Sequence, residues 1–172
     1  MTPDDDLQEE LAETAYHEAC HFVMGALAKG GLPRRVCIIP GPDYAGFCGG
    51  LPAMPDYAAL VSLAGVFAEE AYNGAGWDRA QDDVEGAKNE LRQVYGDAGE
   101  VYFDRYLAFT YRLLSYTGPR RAVQAAARYL VENPNLELEA VYPLSDLVRQ
   151  AIGKRDRWLR GQVDTFLEEV TL

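Results

Sequence analysis

The chain has 172 residues, 48% of them apolar, and a net charge of −11. That length and apolar fraction suit one folded domain over 1–172 and exclude a disordered chain. The acidic balance argues against nucleic acid or an anionic membrane surface as the main partner, because both select clustered Lys and Arg. The three cysteines are odd in number and scattered, so they give no disulfide framework and suit a reducing, cytoplasmic setting. The acidic start MTPDDDLQEEL lacks the basic and apolar regions of a signal peptide. No apolar run approaches the roughly 20 residues that span a bilayer. No GxxxxGK[ST] loop is present to bind a nucleotide.

In chain order, residues 1–6 read as a loose tail ending in a capping acidic cluster. A helix is predicted from about 7 to 28, rich in Ala, Glu, Leu and Met and stopped by Lys29-Gly30-Gly31. Arg35-Val36-Cys37-Ile38-Ile39 reads as a strand between Pro33 and Pro40. Gly41-Pro42-Asp43 is a turn, and Tyr44–Cys48 a second strand that Gly46, Gly49 and Gly50 weaken. Asp56 reads as the N-cap of a helix from about 57 to 72, closed by Asn73-Gly74. After a loop with Gly76 and Trp77, a third helix spans about 79–95. Asp97 and Glu100 form a capping-box-like pair for a helix to about 116, and Gly118-Pro119 opens another to about 132. Residues 133–143 read as a loop, Ser145 as the cap of a short helix, and a last helix runs from about 155 to 169. The aromatic series from Tyr102 to Tyr116 follows helical spacing and reads as core. The fold class is α+β, mostly α-helical, with about six helices and a small two-stranded β element after the first.

The first helix carries His17-Glu18-Ala19-Cys20-His21, and these are the only two histidines in the chain. Positions four apart share one helix face, so both imidazoles can bind one metal ion, with Glu18 handling protons beside it. A catalytic zinc site takes three protein ligands, so a carboxylate or cysteine must supply the third. The HExxHxxGxxH continuation fails, because Met24 and Leu27 stand where it needs glycine and histidine. The main remaining source is Gln81-Asp82-Asp83 at the start of the third helix, although acids there also suit the helix dipole. Glu69 and Glu70 are a weaker source; they also read either as a solvated pair or as a partner for the free N–H of a ligand histidine.

These residues resemble the zinc peptidase domain of the FtsH-like ATP-dependent metalloprotease family. TAYHEACHFVMGALAKGGLPRRVCIIPG resembles its AxHEAGHA helix and "VsIIPRG" strand, followed by a glycine-containing strand. Ala64-Gly65-Val66-Phe67-Ala68-Glu69-Glu70 resembles GGRAAEE, and the stretch from Arg79 to Ala87 resembles "GAsNDLeqAT". The matches run in order over 14–96, while 97–165 match poorly and form a helical C-terminal part. The resemblance implies that Asp83 completes a Zn²⁺ site with His17 and His21, that Glu18 is the catalytic base, and that the substrate is a polypeptide. It also implies that the second strand presents substrate, which makes Gly46, Phe47 and Cys48 candidate substrate-binding residues. Two positions depart from the family pattern: Cys20 replaces a glycine, and Asp82 replaces an asparagine, which leaves Asp82 a competitor to Asp83.

The expected activity is zinc-dependent hydrolysis of unfolded or flexible polypeptides, with the cutting module present and the family's ATPase and membrane segments absent from these residues. The alternative is a non-catalytic metal-binding or peptide-binding adaptor that keeps the peptidase fold.

Overall fold

Helix α1 (Pro3–Leu27) is the element against which the others pack. Its second half is apolar nearly all round, and Ala19, Cys20, Phe22, Val23, Met24 and Leu27 are fully buried, as such a helix must be. In the computed structural model, which describes residues 3–28, 32–41, 45–50, 54–74 and 80–171, α1 lies against α2 (Pro55–Asn73) and α5 (Thr117–Glu132). α2 packs on α3 (Gln81–Tyr95) and α4 (Gly99–Ser115), and α5 packs on α6 (Tyr142–Ile152). α7 (Asp156–Thr171) touches α1 and α4. Phe103, Tyr106 and Phe109 of α4 join the core as their spacing predicts, and Phe166 of α7 stacks on Phe109. Among the described residues no helix is long and apolar enough to cross a membrane.

The molecule is mostly helical with one small antiparallel sheet, and the sheet has three strands in place of the predicted two. β1 (Arg35–Cys37) pairs on one side with β2 (Phe47–Gly49) and on the other with β3 (Asn135–Glu137). Val36 stands opposite both Cys48 and Leu136, and Leu136 is buried beneath the sheet. β3 falls in the stretch that reads as a loop. It holds one buried apolar residue between two polar ones, too short a pattern to signal a strand, and its pairing with β1 is a long-range event. Cys37 and Cys48 are in adjacent pairs of the register and therefore point to opposite faces, and both are free thiols.

Several helix starts differ from the sequence expectation. α1 begins at Pro3, within the predicted tail; proline is a residue that suits a helix's first turn. α2 begins one residue before Asp56, with Met54 as its N-cap and no side-chain cap hydrogen bond, and Asp56 accepts a hydrogen bond from the adjacent Tyr57 N–H. α4 begins at Gly99 after a 3₁₀ turn, without a side-chain cap, so Asp97 and Glu100 do not form a capping box. α6 starts at Tyr142 with Pro143 in its first turn, which places Ser145 inside the helix and buried. The predicted stop at Gly74 is present: its φ of 60° is the left-handed conformation glycine supplies, and its N–H bonds Glu70 O. The stop at 29–31, the turn at 42–43, Tyr44 and the loop around Gly76 and Trp77 lie outside the described residues.

Candidate metal centre

α1 sets His17 and His21 one turn apart on one face, with ring centroids 4.8 Å apart. Their Nε2 atoms are separated by 3.0 Å. Asp83, in the first turn of α3, brings its carboxylate to the same point. Its Oδ2 lies 3.1 Å from His17 Nε2 and its Oδ1 lies 3.4 Å from His21 Nε2. Among the described residues, His17, His21 and Asp83 form a candidate metal-binding group.

The far side of each ring decides what the near side offers. His21 Nδ1 is 2.8 Å from the Val61 carbonyl, which only accepts, so Nδ1 donates. His17 Nδ1 donates in the same way to Glu69 Oε1 at 3.1 Å. In the neutral rings both Nε2 atoms then carry lone pairs, aimed at each other and at a carboxylate. Three such donors repel unless a cation lies among them. Around a tetrahedral ion with bonds of about 2.0–2.2 Å, donor atoms stand about 3.3–3.6 Å apart, close to the separations found here. The residues present therefore fit a divalent ion of the zinc class.

Without a metal, a proton supplies the positive charge. Burial lowers the His17 pKa, but hydrogen bonds to Asp83 and Glu69 outweigh it and raise the value from 6.5 to about 10. For His21, burial likewise lowers the pKa, and the Asp83 carboxylate reverses the effect so that it ends raised. Burial pushes the Asp83 carboxyl up, but the two imidazoles hold it well below the usual carboxylate range. Because the folded His17 pKa is raised, its proton stabilises the metal-free protein fully below pH 6.5, and this contribution is lost as pH rises toward about 10. A metal must displace that proton. Calorimetric titration with Zn²⁺ at pH 7 in two buffers of different ionisation enthalpy should show release of about one proton, and no release would contradict this protonation scheme.

Two glycines make room for the centre. A Cβ on Gly65 of α2 would overlap the Asp83 carboxylate and come 2.7 Å from His21 Cε1. A Cβ on Gly46, just before β2, would come 2.5 Å from Glu18 Oε1 and 2.6 Å from Thr14 Cγ2. The start of β2 thus rests directly on Glu18. Glu18 is 4% exposed, and its Oε2 has no hydrogen-bond partner among the described residues. Burial raises its pKa, the two imidazoles oppose that rise, and Asp83 adds to it, with a net upward shift.

A cavity of about 600 Å³ opens on this group. His17, Glu18, His21 and Asp83 line it, and so do Gly46, Phe47 and Cys48, so the structure gathers every residue singled out for metal, catalysis or substrate. Asp82 also lines the cavity but is exposed and is not part of the metal-binding group, whereas Asp83 reaches both imidazoles. Glu69 is buried against the far nitrogen of His17, away from the converging Nε2 atoms. Glu70 is exposed and accepts a hydrogen bond from Tyr111 Oη at 2.8 Å. Cys20 lies fully buried in the core, where burial and then the Glu18 charge push its thiol pKa well up.

Sequence reasoning missed Val61 and the spatial role of Gly65. A backbone carbonyl leaves no trace in residue types. Gly65 did leave one, because a glycine inside an apolar helical run costs about 1 kcal/mol and so signals a packing reason. No protein-family model matches the chain, and no curated protein matches it either.

Proposed function

We propose that the protein is a zinc-dependent metallopeptidase of the FtsH-like HExxH kind, acting on unfolded or flexible polypeptides. The observation that carries this reading is Glu18: a buried carboxylate with an oxygen that has no partner among the described residues, beside three converging electron-pair donors. A buried carboxylate of purely structural use would have its oxygens satisfied. Glu18 instead faces a cavity next to the candidate metal centre, with its pKa shifted up toward the range that suits a general base.

His17, His21 and Asp83 would hold the ion, with Glu69 and the Val61 carbonyl orienting the two rings. Zinc bound there supplies Lewis acidity, which acidifies water and polarises a peptide carbonyl. Glu18 takes a proton from the water that adds to the scissile carbonyl carbon, and delivers it to the amine as the C–N bond breaks. β2 is an edge strand of the sheet formed by the described residues, and its residues line the cavity. An extended chain added to that edge would be aligned by main-chain hydrogen bonds, which favours substrates without fixed structure.

Incubation with a casein-like unfolded protein tests the proposal. Cleavage is expected with zinc, is lost on chelation and returns on zinc addition. Absence of zinc-dependent cleavage would overturn the peptidase assignment.

A further inference from the structure

We propose that a second cavity, between α1, α2 and α5, binds small aromatic carboxylates, with Arg128 taking the carboxylate and Tyr16 and Tyr72 flanking the ring. The two cavities share no lining residue among the described residues, so this site is separate from the metal centre and does not depend on the peptidase reading.

The cavity holds about 440 Å³, within the range of about 300–1,000 Å³ that suits small-molecule sites. Its origin is local: Ala12 of α1 and Ala127 of α5 both line it, and two such small side chains where the helices pack leave space unfilled. The rings of Tyr16 and Tyr72 form one wall, with centroids 5.5 Å apart and planes inclined at 46°. Tyr72 and Val131 are 40% and 49% exposed, so apolar surface stays uncovered here. An aromatic ring can pack on such tyrosines edge to face or offset. The polar side of the cavity points to the rest of the ligand. Arg128 is the only charged residue in the described lining. Its Nε donates to the Gln124 carbonyl at 3.2 Å, which anchors the guanidinium to its own helix. Its terminal N–H groups have no hydrogen bond or ion pair among the described residues. An anchored guanidinium with both terminal nitrogens open takes a carboxylate end-on through two parallel N–H bonds. Arg120, two turns before Arg128, adds positive field at the same place: burial and then Cys20 push the Tyr16 phenol up to about 12, and Arg120 opposes them. In a chain of net charge −11, an open cation beside uncovered aromatic surface is complementary to an aromatic body that carries an acid.

Isothermal titration calorimetry at pH 7 provides the test, comparing 3-phenylpropionate, its neutral amide and acetate on the purified protein before and after zinc removal. 3-Phenylpropionate is expected to bind with a Kd on the order of 0.3 mM, the amide about tenfold more weakly, and acetate without measurable heat. Arg128→Gln should bring the acid to within about threefold of the amide, while Arg121→Gln, an equal charge change outside the cavity, should leave the gap intact. Ala127→Leu should fill the cavity and abolish binding of both, with a thermal melt showing that the variant is folded. Absence of saturable binding by the acid, equal binding of acid and amide, or binding retained by folded Ala127→Leu would overturn the inference. So would a gap that survives Arg128→Gln or is lost equally with Arg121→Gln. Binding that disappears with zinc would also overturn it, because the carboxylate would then belong to the metal centre.

Discussion

Glu18→Gln is expected to lower zinc-dependent hydrolysis by about 10²–10⁴-fold while zinc content stays unchanged. The substitution keeps shape and hydrogen-bonding capacity but removes the group that accepts the proton. Glu18 does not belong to the converging donor set, so the ion's ligands are untouched. The folded protein should not suffer either. In the native chain a carboxylate is buried at 4% exposure with one oxygen unpartnered among the described residues, which opposes folding. A neutral amide relieves that cost, so the melting temperature should hold or rise. Initial rates, metal content and a thermal melt on the same preparation check all three. A variant that cuts within about threefold of the native rate would remove Glu18 from the chemistry.

Asp83→Asn is expected to weaken zinc binding by on the order of a hundredfold or more, since loss of even an outer-shell partner costs about 10–100-fold. The substitution removes the only carboxylate in the donor set. It also removes the largest of the influences that raise both imidazole pKa values, so both should fall. Asp82→Asn is the control. Asp82 is exposed and lies outside the donor group, so zinc affinity should change by less than about threefold. Competition with a chromogenic chelator measures both. Equal losses in the two variants would place the third ligand elsewhere.

The parts of this centre that were legible in the chain are the local ones. His17 and His21 stand four apart on a helix whose composition leaves little doubt of its form, so their shared face follows from helix geometry alone. Asp83 needed more, because carboxylates at a helix start have an ordinary electrostatic explanation, and spacing alone did not separate it from Asp82. Resemblance favoured Asp83, and the fold brings its carboxylate to both imidazoles. What the chain did not disclose depends on distant residues. β3 forms only because Leu136 finds a place beside Val36. The partner of His21 is a carbonyl whose direction depends on how α2 docks against α1. The helices start at Pro3 and Pro55, earlier than the expected starts near 7 and 57, and proline is no guide there because it serves equally well as a breaker and as a first-turn residue.

Val61, Gly65 and Glu69 recur every fourth residue along α2 and so form one stripe facing the centre. None of the three coordinates through the converging atoms, yet the stripe sets ring tautomer, clearance and orientation together. A designer who transplanted only the histidine pair and an aspartate to a new scaffold would leave out these supports, and free ring rotation would defeat the graft. The smallest portable version of this centre is a three-helix wedge, in which the middle helix acts as a jig for the two that bear the ligands.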